Sequence, residues 1–276
     1  MKLDLRIDIE KCIRCGMCVE DCPYTILQMI NGQPTARVEK AGQCIGCQHC
    51  LAVCPTGALS IFGLNPDNSL VLKNNLPTPQ QVETLLRGRR SVRRYCATPL
   101  EAATIQKLLT IAGNAPTGVN NCQCLFTVIE DPKVMNSVRE KTIAGIRERA
   151  LQGRLPQGLE YFEKIIHAWD KGKDVLFRNA PHMLLVSAPA SGPTPQADCD
   201  IALTYFELMS TSMGIGTLWD GLAKWAFTLI LPETLRHLGI PEDHLLGYVM
   251  LFGRPAVRYH RTVQRDTVSM NKVRAF

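Results

Sequence analysis

One cysteine spacing occurs twice within the first 54 residues, and it constrains this chain more than any other feature. Cys12-Ile13-Arg14-Cys15-Gly16-Met17-Cys18 is followed by Cys22-Pro23, and Cys44-Ile45-Gly46-Cys47-Gln48-His49-Cys50 by Cys54-Pro55. Both runs read C-x2-C-x2-C-x3-C-P, and each is followed by an apolar segment, residues 26–30 and 58–62. Eight of the 12 cysteines lie here, while Cys96, Cys122, Cys124 and Cys199 are scattered through the rest. In a secreted miniprotein such density would mean disulfides. A chain of 276 residues with its cysteines crowded at one end and no leader pattern in Met1-Lys2-Leu3-Asp4-Leu5-Arg6 is expected instead to hold metal with reduced thiolates. Four-cysteine zinc sites also use paired C-x2-C. Zinc, however, does not call for a third Cys in each run or a Cys-Pro after each fourth one.

Three thiolates at two-residue gaps can wrap three corners of an iron–sulfur cubane, with the loop's N–H groups aimed at the sulfurs. Residues 1–63 resemble the bacterial-type two-cluster ferredoxin, in which the fourth Cys of each run ligates the other cluster. The resemblance implies that Cys12, Cys15, Cys18 and Cys54 hold one [4Fe–4S] cluster, and that Cys44, Cys47, Cys50 and Cys22 hold the second. Each fourth Cys is expected to start a helical turn facing the neighbouring cluster.

The charge balance divides with the cysteines. The chain has 31 Lys+Arg against 25 Asp+Glu, yet residues 1–72 carry six basic against seven acidic side chains, so the basic excess lies beyond. Those basic residues do not form one stripe, which argues against nucleic acid as a partner. No apolar run reaches the ~20 residues of a membrane helix; His244 to Gly253 is the longest candidate. A cytoplasmic protein without a membrane span is expected.

Asn65-Pro66-Asp67-Asn68 and Asn74-Asn75-Leu76-Pro77-Thr78-Pro79 are the strongest punctuation in the chain. They predict a linker over 64–80 and a second domain over 81–276. There the pattern predicts helices over 79–87, 100–112 and 201–213, the last stopped by Gly214, and a charged, mostly helical stretch over 140–175. Short apolar strands are predicted over 125–129, 183–187 and 245–252. Strands separated by helices give an α+β or α/β domain. No G-x-G-x-x-G follows a strand and no P-loop lysine motif occurs, so the common nucleotide cradles are missing.

Four patches carry a second resemblance. They are Arg89-Arg90-Ser91-Val92-Arg93-Arg94-Tyr95, Ala115-Pro116-Thr117-Gly118-Val119-Asn120, Met213-Gly214-Ile215-Gly216-Thr217-Leu218-Trp219-Asp220-Gly221, and Arg261-x-x-x-Arg265. In order and spacing, residues 80–266 resemble the nitroreductase family of FMN-dependent oxidoreductases. The resemblance implies an α+β fold with a mixed sheet, surrounding helices and a dimer with FMN at its interface. A dianionic phosphate is best held by guanidinium forks and a hydroxyl. Arg89, Ser91 and Arg93 alternate, so on an extended segment all three can face the phosphate and ribityl chain, and Arg265 occupies the place of a phosphate-binding Arg. Arg90 is expected at the pyrimidine edge. Pro116, Thr117 and Asn120 resemble a loop that reaches the partner's flavin, and Leu218, Trp219, Asp220 and Gly221 correspond to backbone facing its reactive edge. Cys122-Gln123 and Val263-Gln264-Arg265 depart from the family's Gln-Pro and Pro-Pro-Arg. Cys96, Cys122, Cys124 and Cys199 are read as inert, and no protein acid or base is named, because the flavin carries the chemistry.

A two-cluster ferredoxin fused to an FMN oxidoreductase implies conversion: electrons enter singly through the clusters and leave in pairs from the flavin. The expected activity is reduction of a small electron-poor acceptor, a nitroaromatic, quinone or activated double bond, with ferredoxin or NAD(P)H as external donor. The other reading is an electron-transfer module serving a partner protein.

Overall fold

The computed structural model describes residues 3–265 and 268–275. The chain forms two units, Met1–Pro77 with Val119–Asn121, and Thr78–Gly118 with Cys122–Phe276.

The first unit is shaped by its repeat. β1 (Leu5–Ile7) pairs antiparallel with β4 (Leu59–Ile61), and β2 (Leu27–Ile30) with β3 (Gln33–Ala36). The third Cys of each run lies in a one-turn helix, Cys18 in α1 (Met17–Glu20) and Cys50 in α2 (His49–Ala52). Before each helix the backbone enters the left-handed region at matching positions, Arg14 and Gly46 (φ 57° and 65°), then Gly16 and Gln48 (φ 78° and 60°). Each pair contains one glycine, but on opposite repeats, so the turn geometry is kept while the residue meeting it changes. A non-glycine residue there is uncommon and marks a loop held by something besides its own preference. The core is small, with Leu27, Leu51, Leu59 and Ile61 closing around Cys18 and Cys50. A core this size does not stabilise a fold by itself, so the unit depends on what its cysteines bind.

The second unit opens with α3 (Pro79–Gly88), whose start is a capping box: Gln81 N donates to Thr78 Oγ1, and Thr78 N donates to Gln81 Oε1. α4 (Ala102–Ala112), β5 (Leu125–Ile129), α5 (Pro132–Leu151), α6 (Phe162–Asp170) and β6 (His182–Pro189) follow. Next come α7 (Pro195–Ser212), β7 (Gly216–Trp219), α8 (Gly221–Trp225), α9 (Glu233–His237) and β8 (His244–Gly253). The sheet order is β5-β6-β8-β7, every pair antiparallel. Its mixed character comes from a parallel bridge between Ser91 and Thr217 at the β7 edge.

Both faces of the central strands are buried. Met183 and Leu185 of β6, with Val249 and Leu251 of β8, pack under α5 and α6. Leu184 and Val186, with Met250 and Phe252, pack against α4 and α7, where Phe206 meets Phe252 edge-on at 5.1 Å. The period-2 alternation thus serves two layers of helices, and the strands read as unbroken apolar runs.

The structure corrects the sequence reading in three places. The helix expected over 201–213 begins at Pro195, because proline at the first helical position starts a helix well. The Gly-Ile-Gly-Thr-Leu-Trp run, where no strand was expected, contains strand β7. It is short and follows a helix end directly, so it leaves no period-2 signal. Cys22 and Cys54 each open a single hydrogen-bonded turn, Thr25 N donating to Cys22 O at 3.0 Å and Gly57 N to Cys54 O at 3.3 Å, and no helix follows either.

Gly247 of β8 passes directly over α7. A Cβ added there would overlap the Cβ of Cys199 and lie 2.8 Å from its Sγ. Gly247→Ala is expected to destabilise the second unit by about 1–3 kcal/mol through overpacking. Gly88→Ala, where nothing lies within 4 Å, should leave the thermal unfolding midpoint unchanged. Comparing the two midpoints checks this.

Candidate functional site

The eight clustered cysteines gather into two sets, each around its own cavity. Cys12, Cys15 and Cys18 line one cavity together with Cys54, and Cys44, Cys47 and Cys50 line the other together with Cys22. The crossing follows from the fold: helices α1 and α2 pack side by side, so the Cys-Pro turn after each helix lands beside the other repeat. Backbone donors support the fourth cysteines in the same way in both halves. Ile26 N donates to Cys22 Sγ at 3.2 Å and Ala58 N to Cys54 Sγ at 3.2 Å.

The thiols diverge in acidity. Burial, and then the neighbouring Cys44, Cys47 and Cys22, pushes Cys50 up to about 11. Cys18 is raised by burial and then by Cys54. Burial also acts to raise Cys54, but the N–H groups of Ala58 and Thr56 outweigh it and hold the thiol below its ordinary value. A buried thiol this weakly acidic ionises when a metal takes the proton's place, so filling the sites releases protons. Among the described residues, no three His, Cys, Asp or Glu side chains converge tightly enough for a single ion. Four cysteines lining each cavity supply the thiolate set of a [4Fe–4S] cage.

In the second unit the Arg-rich segment runs along the sheet edge. Val92 N donates to Thr217 O at 2.8 Å, Cys96 N to Arg254 O at 2.8 Å, and Ala256 N to Arg94 O at 2.8 Å. The segment is therefore fastened first to β7 and then to the chain leaving β8. A Schellman motif delivers α7 into β7: Ile215 N donates to Ser210 O at 2.9 Å, and Gly214 takes φ 71°. Gly216 accommodates Val92, whose side chain would lie 2.7–2.9 Å from an added Cβ.

The predicted residues divide between two faces of this segment. Arg90 lines an open groove of about 600 Å³ with Val92, Gly214, Gly216, Arg258 and Tyr259. Arg89 is half-buried, its Nη1 donating to Glu207 Oε1 at 3.2 Å. Arg93 is exposed, with Nη1 donating to the Ser91 carbonyl at 3.4 Å, and Arg265 is exposed in the C-terminal segment. Sequence reasoning missed Glu207 and Arg258. Glu207 had a signal, being a carboxylate on the α7 face that also carries Leu203, Phe206 and Ser210, all buried.

In the loop after α4, Cys122 N donates to Thr117 Oγ1 at 3.0 Å and Gly118 N donates to the buried Asp198 at 2.9 Å. Pro116 is exposed. Asn120 Nδ2 donates to the Ile45 carbonyl at 2.9 Å. Val119, Asn120 and Cys122 all take positive φ (48°, 55° and 50°), and for a β-branched valine this is a true outlier. Strain of this density collects where a loop is held in shape for a purpose. Cys199 is wholly buried and shares a hydrogen bond with Cys124, which raises Cys199 and lowers Cys124.

Leu218 is buried, Trp219 packs edge-on against Tyr248 at 5.1 Å, and Gly221 lies where a Cβ would be 3.0 Å from Tyr248 Oη. Asp220 caps α8, its Oδ1 accepting from Ala223 N at 3.0 Å. Its Oδ2 is buried with no hydrogen-bond partner among the described residues. Burial pushes this carboxyl up to about 7, against the N–H of Ala223 and the charge of Arg178.

Comparison with known proteins follows these two halves. A family model described as the nitroreductase family matches residues 86–254, and one described as a 4Fe-4S dicluster domain matches residues 11–59. A methylamine utilization ferredoxin-type protein, MauM of Methylobacillus flagellatus, is 45% identical over 58 residues, 18% of this chain and 24% of that protein. The chain thus spans about a quarter of that relative. An iodotyrosine deiodinase of Thermotoga neapolitana is 26% identical over 137 residues, 49% of this chain and 70% of that one. A solved nitroreductase with bound FMN from Bacteroides fragilis superposes with a TM-score of 0.57 at 21% identity, covering 71% of this chain and all of that one.

The buried Asp220 makes stability depend on pH. Its folded pKa, about 7, lies above the ordinary 3.8, so between those values the folded chain keeps a proton that the unfolded chain has released. Stability from this group is full below about 4 and falls as pH rises toward 7. Asp220→Asn keeps the Oδ1 acceptor and carries no charge. Its advantage in unfolding free energy over the unaltered chain is expected to widen from pH 5 to pH 7 and level off above, reaching on the order of a few kcal/mol. A difference that stays constant with pH would contradict this assignment.

Proposed function

The chain belongs to the nitroreductase family and carries a 4Fe-4S dicluster domain ahead of that domain, and we propose that it is an iron–sulfur flavoprotein reducing a small electron-poor acceptor. The observation that carries the reading is the pair of cavities, each lined by three cysteines of one repeat and the fourth of the other. Two [4Fe–4S] clusters would be held there by Cys12, Cys15, Cys18 and Cys54, and by Cys44, Cys47, Cys50 and Cys22. FMN would be held in the second unit, as it is in the Bacteroides fragilis nitroreductase.

The residues fit that cofactor. The groove beside Arg90 lies within the ~300–1,000 Å³ range of cofactor sites and carries two guanidinium side chains, Arg90 and Arg258. Arg89, Ser91, Arg93 and Arg265 are the proposed phosphate and ribityl ligands, with Arg90 at the pyrimidine edge. Pro116, Thr117 and Asn120 would serve the flavin of a second subunit in a homodimer, and the backbone from Leu218 to Gly221 would face its reactive edge. Bound clusters supply single-electron transfer and bound FMN supplies exchange in pairs, which suits a chain that takes electrons from a one-electron donor and gives two to an organic molecule.

What this chain's own residues do is bind, orient and shield. The guanidinium forks neutralise a dianion. Trp219 and Tyr248 form an apolar, aromatic wall beside the β7 exit. Nitroaromatics, quinones and activated double bonds are the proposed acceptors, and ferredoxin or NAD(P)H the proposed donor, in the cytoplasm. No helix among the described residues is long and apolar enough to cross a membrane.

Anaerobic quantification tests the composition. The account predicts about eight iron, about eight sulfide and about one FMN per chain. Cys54→Ala should lose the iron of one cluster and Cys22→Ala that of the other. About eight iron with no FMN would favour an electron-transfer module serving a partner protein, and about one metal ion per cysteine set would overturn the cluster assignment.

A further inference from the structure

Glu207 belongs to none of the four patches, yet it joins two of them. It lies on α7, is 5% exposed, and its Oε1 accepts from Arg89 Nη1 at 3.2 Å and from Thr217 Oγ1 at 3.1 Å. Thr217 is itself buried, and its carbonyl accepts from Val92 N at 2.8 Å. One carboxylate oxygen thus ties the Arg-rich segment to β7 at the level of side chains, at Arg89, three residues before Val92, where the backbone ties them.

A carboxylate this deeply buried is costly unless it is paired. Arg89 is the partner in its salt bridge. The Arg89 side chain still keeps 26% of its surface exposed, so the guanidinium is anchored at Nη1 and open elsewhere. A guanidinium is a rigid planar fork, and fixing one nitrogen fixes the direction of the others. Thr217, held between the sheet edge and Glu207, stops the carboxylate from turning.

We propose that Glu207 is a positioning residue for the anionic end of the cofactor: through Oε1 it holds Arg89 so that the remaining guanidinium donors face the phosphate. This deepens the FMN reading above and rests on it. The role requires an acceptor at Oε1 more than it requires negative charge, since a second anion beside a phosphate works against binding.

The test is titration of the cluster-loaded, flavin-depleted protein with FMN and with riboflavin, which lacks the phosphate, followed by flavin fluorescence. Glu207→Ala is expected to weaken FMN by roughly 10- to 100-fold, the range for loss of an oriented hydrogen bond to a charged group, and to leave riboflavin nearly unchanged. Glu207→Gln, which keeps the acceptor, should bind FMN within about threefold of the unaltered protein. Should Glu207→Ala fail to fold, Arg89→Lys carries the test, because a lysine can pair with Glu207 but offers no fork. It should weaken FMN and spare riboflavin. Unaltered FMN affinity in Glu207→Ala, or in Arg89→Lys where that variant is used, overturns the proposal. So does an equal loss of FMN and riboflavin. If the unaltered protein binds no FMN, the cofactor reading fails instead.

Discussion

The first unit depends on an exchange between its two repeats. Each set of four sulfurs takes three from one repeat and the fourth from the other, so neither repeat completes a site alone. The left-handed turns at Arg14, Gly16, Gly46 and Gln48, the one-turn helices carrying Cys18 and Cys50, and the Ile26 and Ala58 N–H groups on the fourth cysteines all serve that exchange. With so few apolar side chains in the core, ligation is the main force that can hold the two halves together.

The second unit solves a different problem. Its sheet is buried on both faces, which leaves the strand ends and one edge for chemistry. At the β7 edge, Val92 fills the space over Gly216, Thr217 takes the Val92 N–H, and Glu207 takes both Thr217 and Arg89. Segments about 125 residues apart in sequence become one surface with arginines on both faces. At the other end of β7, Asp220 is buried with one oxygen that has no hydrogen-bond partner among the described residues, a cost that a fold keeps where polarity is of use.

Much of this could be read from the residues. The resemblance carried by the cysteine runs implies the same two sets of four that line the two cavities, and long apolar strands such as β6 and β8 stand out because both of their faces are covered. Boundaries were harder. α7 starts six residues before its apolar period becomes regular, since Pro195 and Asp198 begin it with turn-like residues. β7 is too short to alternate, and its pairing with β8, four residues long, is what makes it a strand. The two faces of the Arg-rich segment were hidden for a related reason. Alternation shows that Arg89 and Arg90 point apart, but the carboxylate that takes Arg89 lies 118 residues away on a helix whose pattern looks merely apolar.

The proposed function requires that electrons pass from the clusters to the flavin. The direct measurement is anaerobic stopped-flow mixing of the fully loaded protein with a reduced one-electron donor protein, recording cluster and flavin absorption in the same shot. The account predicts that the cluster band falls first and flavin bleaching follows, and that Cys54→Ala slows the bleaching at least about tenfold, equivalent to about 1.4 kcal/mol in barrier. Flavin bleaching that precedes the cluster signal, or runs at the same rate without an intact cluster pair, would contradict it.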